Sequence, residues 1–314
     1  MADDGRADGC GSLTTGRPGD IVGAPLILCG DFSRWLEMAV ASASALAEGG
    51  TLERVRVTWL TDLHLNFLDE GGLVGFLEVV RRERPELLLV GGDTGESDDV
   101  LEFVARLGSV APTWFVLGNH DFYGSSIATV RAAAWANGRW LPGNGPVRLT
   151  DATTLIGVDG WGDARCGDLG SRIRLTDWVK IEELSGLSTS RRIEVLRELG
   201  AQEATQLAGQ LEAVEPTRAL LVLTHVPPFA GSCWYDGRTS DSAWLPWFTC
   251  IAVGEVLLAY ARQHPTMSIT ALCGHTHGIG EFVAADNLVV RTGGWAAGQQ
   301  DYGNPVVQAT WDVA

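Results

Sequence analysis

Five apolar runs of strand length in this chain break off in the same manner, each into a short polar stretch that holds aspartate, asparagine or histidine. Arg54–Leu60 leads into Thr61-Asp62-Leu63-His64, Glu86–Gly91 into Gly92-Asp93, and Thr113–Leu117 into Gly118-Asn119-His120-Asp121. Further on, Ala219–Leu223 leads into Thr224-His225, and Ser268–Cys273 into Gly274-His275-Thr276-His277. Between these runs, helix-like segments cover Gly72–Arg84, Asp98–Leu107, Ser125–Asn137, Arg191–Val214 and Ile251–Gln263. Pro85 closes the first of them and Asn137-Gly138 the third, since proline cannot continue a helix and glycine accepts a left-handed cap. Strands alternating with helices predict an α/β domain.

Thr154–Val158 reads as one more strand. From Glu281 to Val313 three β-rich runs follow without a helix, which predicts antiparallel closure. One domain is expected over residues 20–314, with a Gly/Asp/Thr-rich disordered tail at 1–19. Asp31, after the apolar Pro25–Leu28, reads as the cap of a helix over Phe32–Ala47.

In open α/β sheets ligands bind beyond the carboxyl ends of the strands, and five of the six histidines lie there. The sixth, His264, precedes Pro265 at a helix end, where an imidazole can favour the last carbonyls. Taken alone, Asp-x-His is a weak metal signal and Gly-Asp is ordinary turn chemistry. Gly-Asn-His-Asp is stronger, because four such residues after an apolar strand have no packing role. Coincidence is a poor account of all five together.

Composition narrows the partners. A formal charge of −16, from 39 acids against 23 bases, argues against long nucleic acid, which needs clustered Lys and Arg. Small phosphorylated substrates remain compatible, since a bound divalent cation reverses the field locally. Apolar runs such as Leu87–Val90 are far too short to cross a bilayer. The acidic start MADDGRADGCGS has no apolar signal core, so a cytoplasmic location is expected. The six cysteines form no CxxC pair and read as reduced packing residues.

The ordered set D-x-H, GD, GNHD, H, GHxH, carried by Asp62/His64, Gly92-Asp93, Gly118–Asp121, His225 and Gly274–His277, resembles the calcineurin-like metallophosphoesterase family. That resemblance implies a four-layer sandwich, two mixed β-sheets flanked by helices. It implies that Asp62, His64 and His277 hold one metal, that Asn119, His225 and His275 hold another, and that Asp93 bridges them. Carboxylate and imidazole donors suit two divalent transition-metal ions such as Mn, Fe, Zn or Ni. Such a pair can share a hydroxide and clamp a phosphoryl oxygen during in-line attack on a phosphomonoester or phosphodiester. Activity is expected to fall in acid as the ligands protonate.

By the same resemblance His120, left without a metal, stabilises charge on the phosphoryl group or protonates the leaving oxygen. Asp121 either orients the His120 ring or caps the helix ahead of Ser125. The competing functions are a metal-dependent nuclease, which shares the motif set, and a non-catalytic metal-binding scaffold of the same fold.

Two segments could address the substrate. Gly231–Phe248 reads as a loop, with Trp234, Tyr235, Trp244 and Trp247 as pocket walls and Arg238 as an anion contact, or else as a loop pinned by its aromatics. Asp159–Asp177 carries Arg165, Arg172 and Arg174 and reads as a solvated surface loop. The glycines at 71–72 read as a turn.

Overall fold

The structure is a computed structural model that describes residues 54–295, 299 and 302–314. The expected tail 1–19, Asp31 and the helix Phe32–Ala47 lie outside the described residues.

Four strands make the first sheet, in the order β12-β1-β2-β3: β1 is Val55–Leu60, β2 Leu87–Gly91, β3 Thr113–Val116 and β12 Val307–Val313. Strands β1, β2 and β3 run parallel, with Leu60 opposite Val90 and Gly91 opposite Val116, so their carboxyl ends open on one edge. Helices α1 (Glu70–Arg82) and α2 (Asp99–Gly108) supply the crossovers that parallel pairing requires, and α3 (Ile127–Asn137) follows β3. Local chemistry sets their ends. Asp69 accepts from Gly72 N and Ser126 from Thr129 N, and Gly138 closes α3 at φ 77°. Gly71 and Gly72 therefore lie inside the first turn of α1, not in a turn between elements.

The second sheet has six strands, ordered β10-β11-β9-β6-β5-β4. These are β4 (Val147–Arg148), β5 (Thr153–Gly157), β6 (Ala219–Leu223), β9 (Ser268–Cys273), β10 (Gly280–Ala285) and β11 (Leu288–Thr292). Strands β5, β6, β9 and β11 are mutually parallel. The long helix α4 (Thr189–Glu212), capped by Ser188, and α5 (Ile251–Gln263) cover its outer face. His264 stands at the C-terminal cap of α5, its ring against Tyr260 at 4.2 Å.

The antiparallel closure expected after Glu281 is found at β10–β11 and at β12–β1, but β11 runs parallel to β9. The three runs are also divided between the sheets, because β12 leaves the second and pairs with the edge of the first.

Three apolar layers hold these elements together. Val57, Trp59, Leu89, Leu155, Leu223 and Leu272 fill the space between the sheets. Leu60, Leu88, Val90 and Phe115 face α1–α3, while Ile156, Val222, Ile269 and Ala271 face α4 and α5. The result is a four-layer α/β sandwich of two mixed sheets flanked by helices. Each such side chain contributes about 1.5–3 kcal/mol on burial, which fixes the strand ends in place. No helix among the described residues is long and apolar enough to cross a membrane.

Candidate metal centre

The five polar stretches meet where the two sheets adjoin. The loops after β1 and β2 continue side by side past the strand ends, with Asp62 N bonding Gly92 O at 3.1 Å and His64 N bonding Asp93 O at 2.9 Å. Gly274 N, after β9, reaches His225 O, after β6, at 2.9 Å. Asp62, His64, Asp93, His275 and His277 all sit at positive φ, between 45° and 69°, so each side chain leaves its strand end by a sharp turn. Gly118 and Gly274 allow the loops to close in: a Cβ on the first would overlap Asp93 Oδ1, and one on the second Asp62 Oδ2.

Donor atoms of Asp62, His64, Asp93 and His277 lie within 4.8 Å of one another, as do those of Asp93, His225 and His275. Asp93 belongs to both groups, its Oδ2 standing 3.8 Å from His64 Nε2 and 3.3 Å from His225 Nε2. His64 Nε2 faces His277 Nε2 at 3.3 Å, and His277 Nε2 lies 3.5 Å from Asp62 Oδ1. Asn119 Oδ1 is approached by His225 Nε2 at 3.1 Å and by His275 Nδ1 at 2.8 Å. The twin histidines 275 and 277 thus diverge, one to each group.

Burial drives the titration of these residues. It pushes Asp62 up to about 7 and His277 down to about 3, and it drives His64 and His275 well below the usual imidazole range. Burial works against charge on His225 and Asp93 too, but their mutual attraction outweighs it. His225 is held up at about 10, and Asp93 well below the usual carboxylate range. Three of the four imidazoles, those of His64, His275 and His277, are therefore neutral, and only His225 holds an extra proton, against Asp93. A cluster of lone pairs with mixed nitrogen and oxygen donors fits divalent transition metals.

Other residues hold this set in place. Asn119 Nδ2 donates to Asp177 Oδ1 at 2.9 Å and Tyr123 Oη donates to the same oxygen at 2.6 Å, which leaves the amide oxygen of Asn119 facing His225 and His275. His225 Nδ1 is paired with Gly91 O at 2.8 Å, so Nε2 is the atom turned to Asp93. Behind the site, Asp159 accepts from Leu117 N and Trp140 Nε1, both at 2.8 Å, and from Arg131, which also pairs with Glu203. None of Tyr123, Asp159 or Asp177 stood out in the sequence. Only the end of a strand near Asp159 signalled a polar position there.

His120 lies at the edge of the cluster. Its backbone N donates to Asp93 Oδ1 at 2.8 Å, its ring meets the His64 ring edge-on at 4.5 Å, and its buried Nδ1 has no hydrogen-bond partner. Asp121 departs from both sequence expectations. Its carboxylate accepts from the backbone N of Asp93, Thr94, Gly95 and Gly118 at 2.8–3.0 Å, binding the β2 and β3 loops together instead of touching the His120 ring or α3. Burial pushes it up to about 7, against the pull of those donors.

A cavity of about 490 Å³ opens over the cluster, lined by Asp93, Asn119, His120, His275 and His277 on one side. The stretch 231–248 forms its opposite side, and is not a loop throughout. Strands β7 (Trp234–Tyr235) and β8 (Arg238–Thr239) form a hairpin, and Leu245–Phe248 is a short helix. Tyr235, Arg238 and Trp244 line the cavity. Trp234 and Trp247 do not. The first lies against Gly278 and Gly280, and the second is buried edge-on to Trp178 at 5.1 Å. Arg174 lines the cavity, whereas Arg165 pairs with Glu255 on the surface. Tyr302, stacked on Phe67 at 4.6 Å, forms a further aromatic side that the sequence did not suggest.

The profile of the family described as calcineurin-like phosphoesterase matches residues 55–278, which takes in all five polar stretches. No curated protein matches the chain. Among solved structures, a phosphopantetheinyl hydrolase from Mycobacterium tuberculosis is similar at 16% identity and a TM-score of 0.55, covering 76% of this chain and 89% of its own. A dimetal phosphatase from Danio rerio is similar at 16% identity and a TM-score of 0.49, covering 76% and 87%. At 16% identity the likeness to the hydrolase is one of fold.

Proposed function

This chain belongs to the calcineurin-like phosphoesterase family and is a metal-dependent hydrolase, and on that premise we propose that it cleaves a small phosphomonoester or phosphodiester at a pair of divalent cations. Asp62, His64 and His277 would hold one cation, Asn119, His225 and His275 the other, with Asp93 between them. The observation that carries this reading is the double membership of Asp93, whose carboxylate lies within reach of both donor groups. When bound, the cation pair supplies a hydroxide near neutral pH and positive charge for the phosphoryl oxygens.

The chain's own residues do the remainder. Asp177 and Tyr123 hold the Asn119 amide so that its oxygen, not its nitrogen, faces the second group. His120 lines the cavity and is assigned the proton for the leaving oxygen. Its ring is steadied by Tyr123 at 4.3 Å and by the bond from its own backbone to Asp93. Asp121 locks the two loops that carry Asp93, Asn119 and His120, a positioning role.

The test offers metal-reconstituted protein p-nitrophenyl phosphate, bis-p-nitrophenyl phosphate, cyclic nucleotides and single-stranded DNA. Metal-dependent cleavage of the small esters, lost together with bound metal in Asp93→Ala, is the expected outcome. Preference for DNA would favour a nuclease. Full metal loading without turnover of any ester would favour a scaffold.

A further inference from the structure

The cavity has charges on its far side that the metal chemistry leaves unused. Two guanidinium groups, Arg174 and Arg238, line it, and neither takes part in an ion pair or hydrogen bond among the described residues. The acids that share the cavity are already engaged. Asp93 faces the histidines, Asp177 accepts from Asn119 and Tyr123, and Asp241 accepts from Ala243 N at 2.9 Å. In a chain of net charge −16, two cations without an ion pair among the described residues, beside a binding cavity, are placed for an incoming anion. Neither comes from the strand ends that carry the donor groups: Arg238 is on β8, paired with Tyr235 across the hairpin, and Arg174 is in the segment before Asp177.

Aromatic surface accompanies them. Tyr235 is 58% exposed and Trp244 38% exposed, and both line the cavity. A volume of about 490 Å³ is that of a site for a whole small molecule, larger than a phosphate group needs.

We infer that the substrate carries a second anionic group, a phosphate or carboxylate separate from the scissile phosphate and bound by Arg174 and Arg238, on a leaving group with a flat apolar part that lies against Tyr235 and Trp244. This rests on the phosphoesterase reading above and adds to it a class of substrate.

Adenosine 5′-monophosphate and adenosine 3′,5′-bisphosphate make a matched pair of probes, differing by one phosphate. Binding to the metal-loaded protein is measured by calorimetry, and phosphate release is followed separately. The bisphosphate is expected to bind about 10–100-fold more tightly, the range of a charge-assisted contact. In Arg174→Ala and Arg238→Ala that ratio should collapse towards one. A ratio near one in the unaltered protein would overturn the inference. Equal weakening of both probes in the arginine variants would also overturn it, because the arginines would then serve the scissile phosphate. Absence of phosphate release from any ester sinks the phosphoesterase reading alone, and the binding ratio still decides the second-anion claim.

Discussion

On one side of the cavity, seven side chains arrive from the ends of five strands and are tied down by backbone bonds, close-packed glycine contacts and the Asp121 carboxylate. On the other, Tyr235, Arg238 and Trp244 stand on a hairpin of two-residue strands and a four-residue helix, with much of their surface open. The first side is built on the sheets and is rigid for the same reason that the core is. The second is an insertion between β6 and α5, whose shape rests on Trp234 and Trp247 packing beneath it. Chemistry that requires fixed geometry belongs on the first side, and recognition that differs from one substrate to another belongs on the second.

Substitutions on each side can break that division. The largest effect is expected from His120→Ala, which should retain its metals while turnover falls by about 10²–10⁴. Metal analysis beside a rate assay reads both, and loss of metal would move His120 into the ligand set. Next comes Asp177→Ala. By freeing the Asn119 amide to turn, it should weaken metal affinity by about 10–100-fold in a chelator competition. An unchanged affinity would show that Asp177 merely fills space. The smallest effect is expected from Trp244→Ala, a rise in KM of roughly two- to tenfold from the loss of one aromatic contact worth about 0.5–1.5 kcal/mol. If metal content fell in that variant, the two sides would not be separate.

The same contrast explains what the sequence made legible. The five polar stretches could be found because each follows an apolar run, so periodicity marks the sheet edge where they gather, while the choice of Asp62, His64, Asp93, Asn119, His225, His275 and His277 as candidate ligands followed from the family resemblance. The α/β class and most element boundaries were legible for the same reason, whereas the four-layer sandwich followed only from the family resemblance. Asp177 was not, because it reaches Asn119 from a segment whose local pattern resembles ordinary surface, and Tyr123 reads as a packing aromatic after Phe122. The 231–248 stretch misled in part: its aromatics carry no period that separates Tyr235 and Trp244, which face the cavity, from Trp234 and Trp247, which support it. Asp121 looked like a helix cap because a carboxylate near a helix start usually is one. Its four backbone donors come from loops whose proximity depends on the parallel pairing of β2 with β3.

The five left-handed turns at Asp62, His64, Asp93, His275 and His277 have a thermodynamic consequence. Non-glycine residues there each cost about 1–3 kcal/mol, against a whole-domain stability of roughly 5–15 kcal/mol. Cations that bind only the folded chain recover part of that cost by mass action. Metal supply would then govern how long each molecule survives in the cell as well as how fast it works.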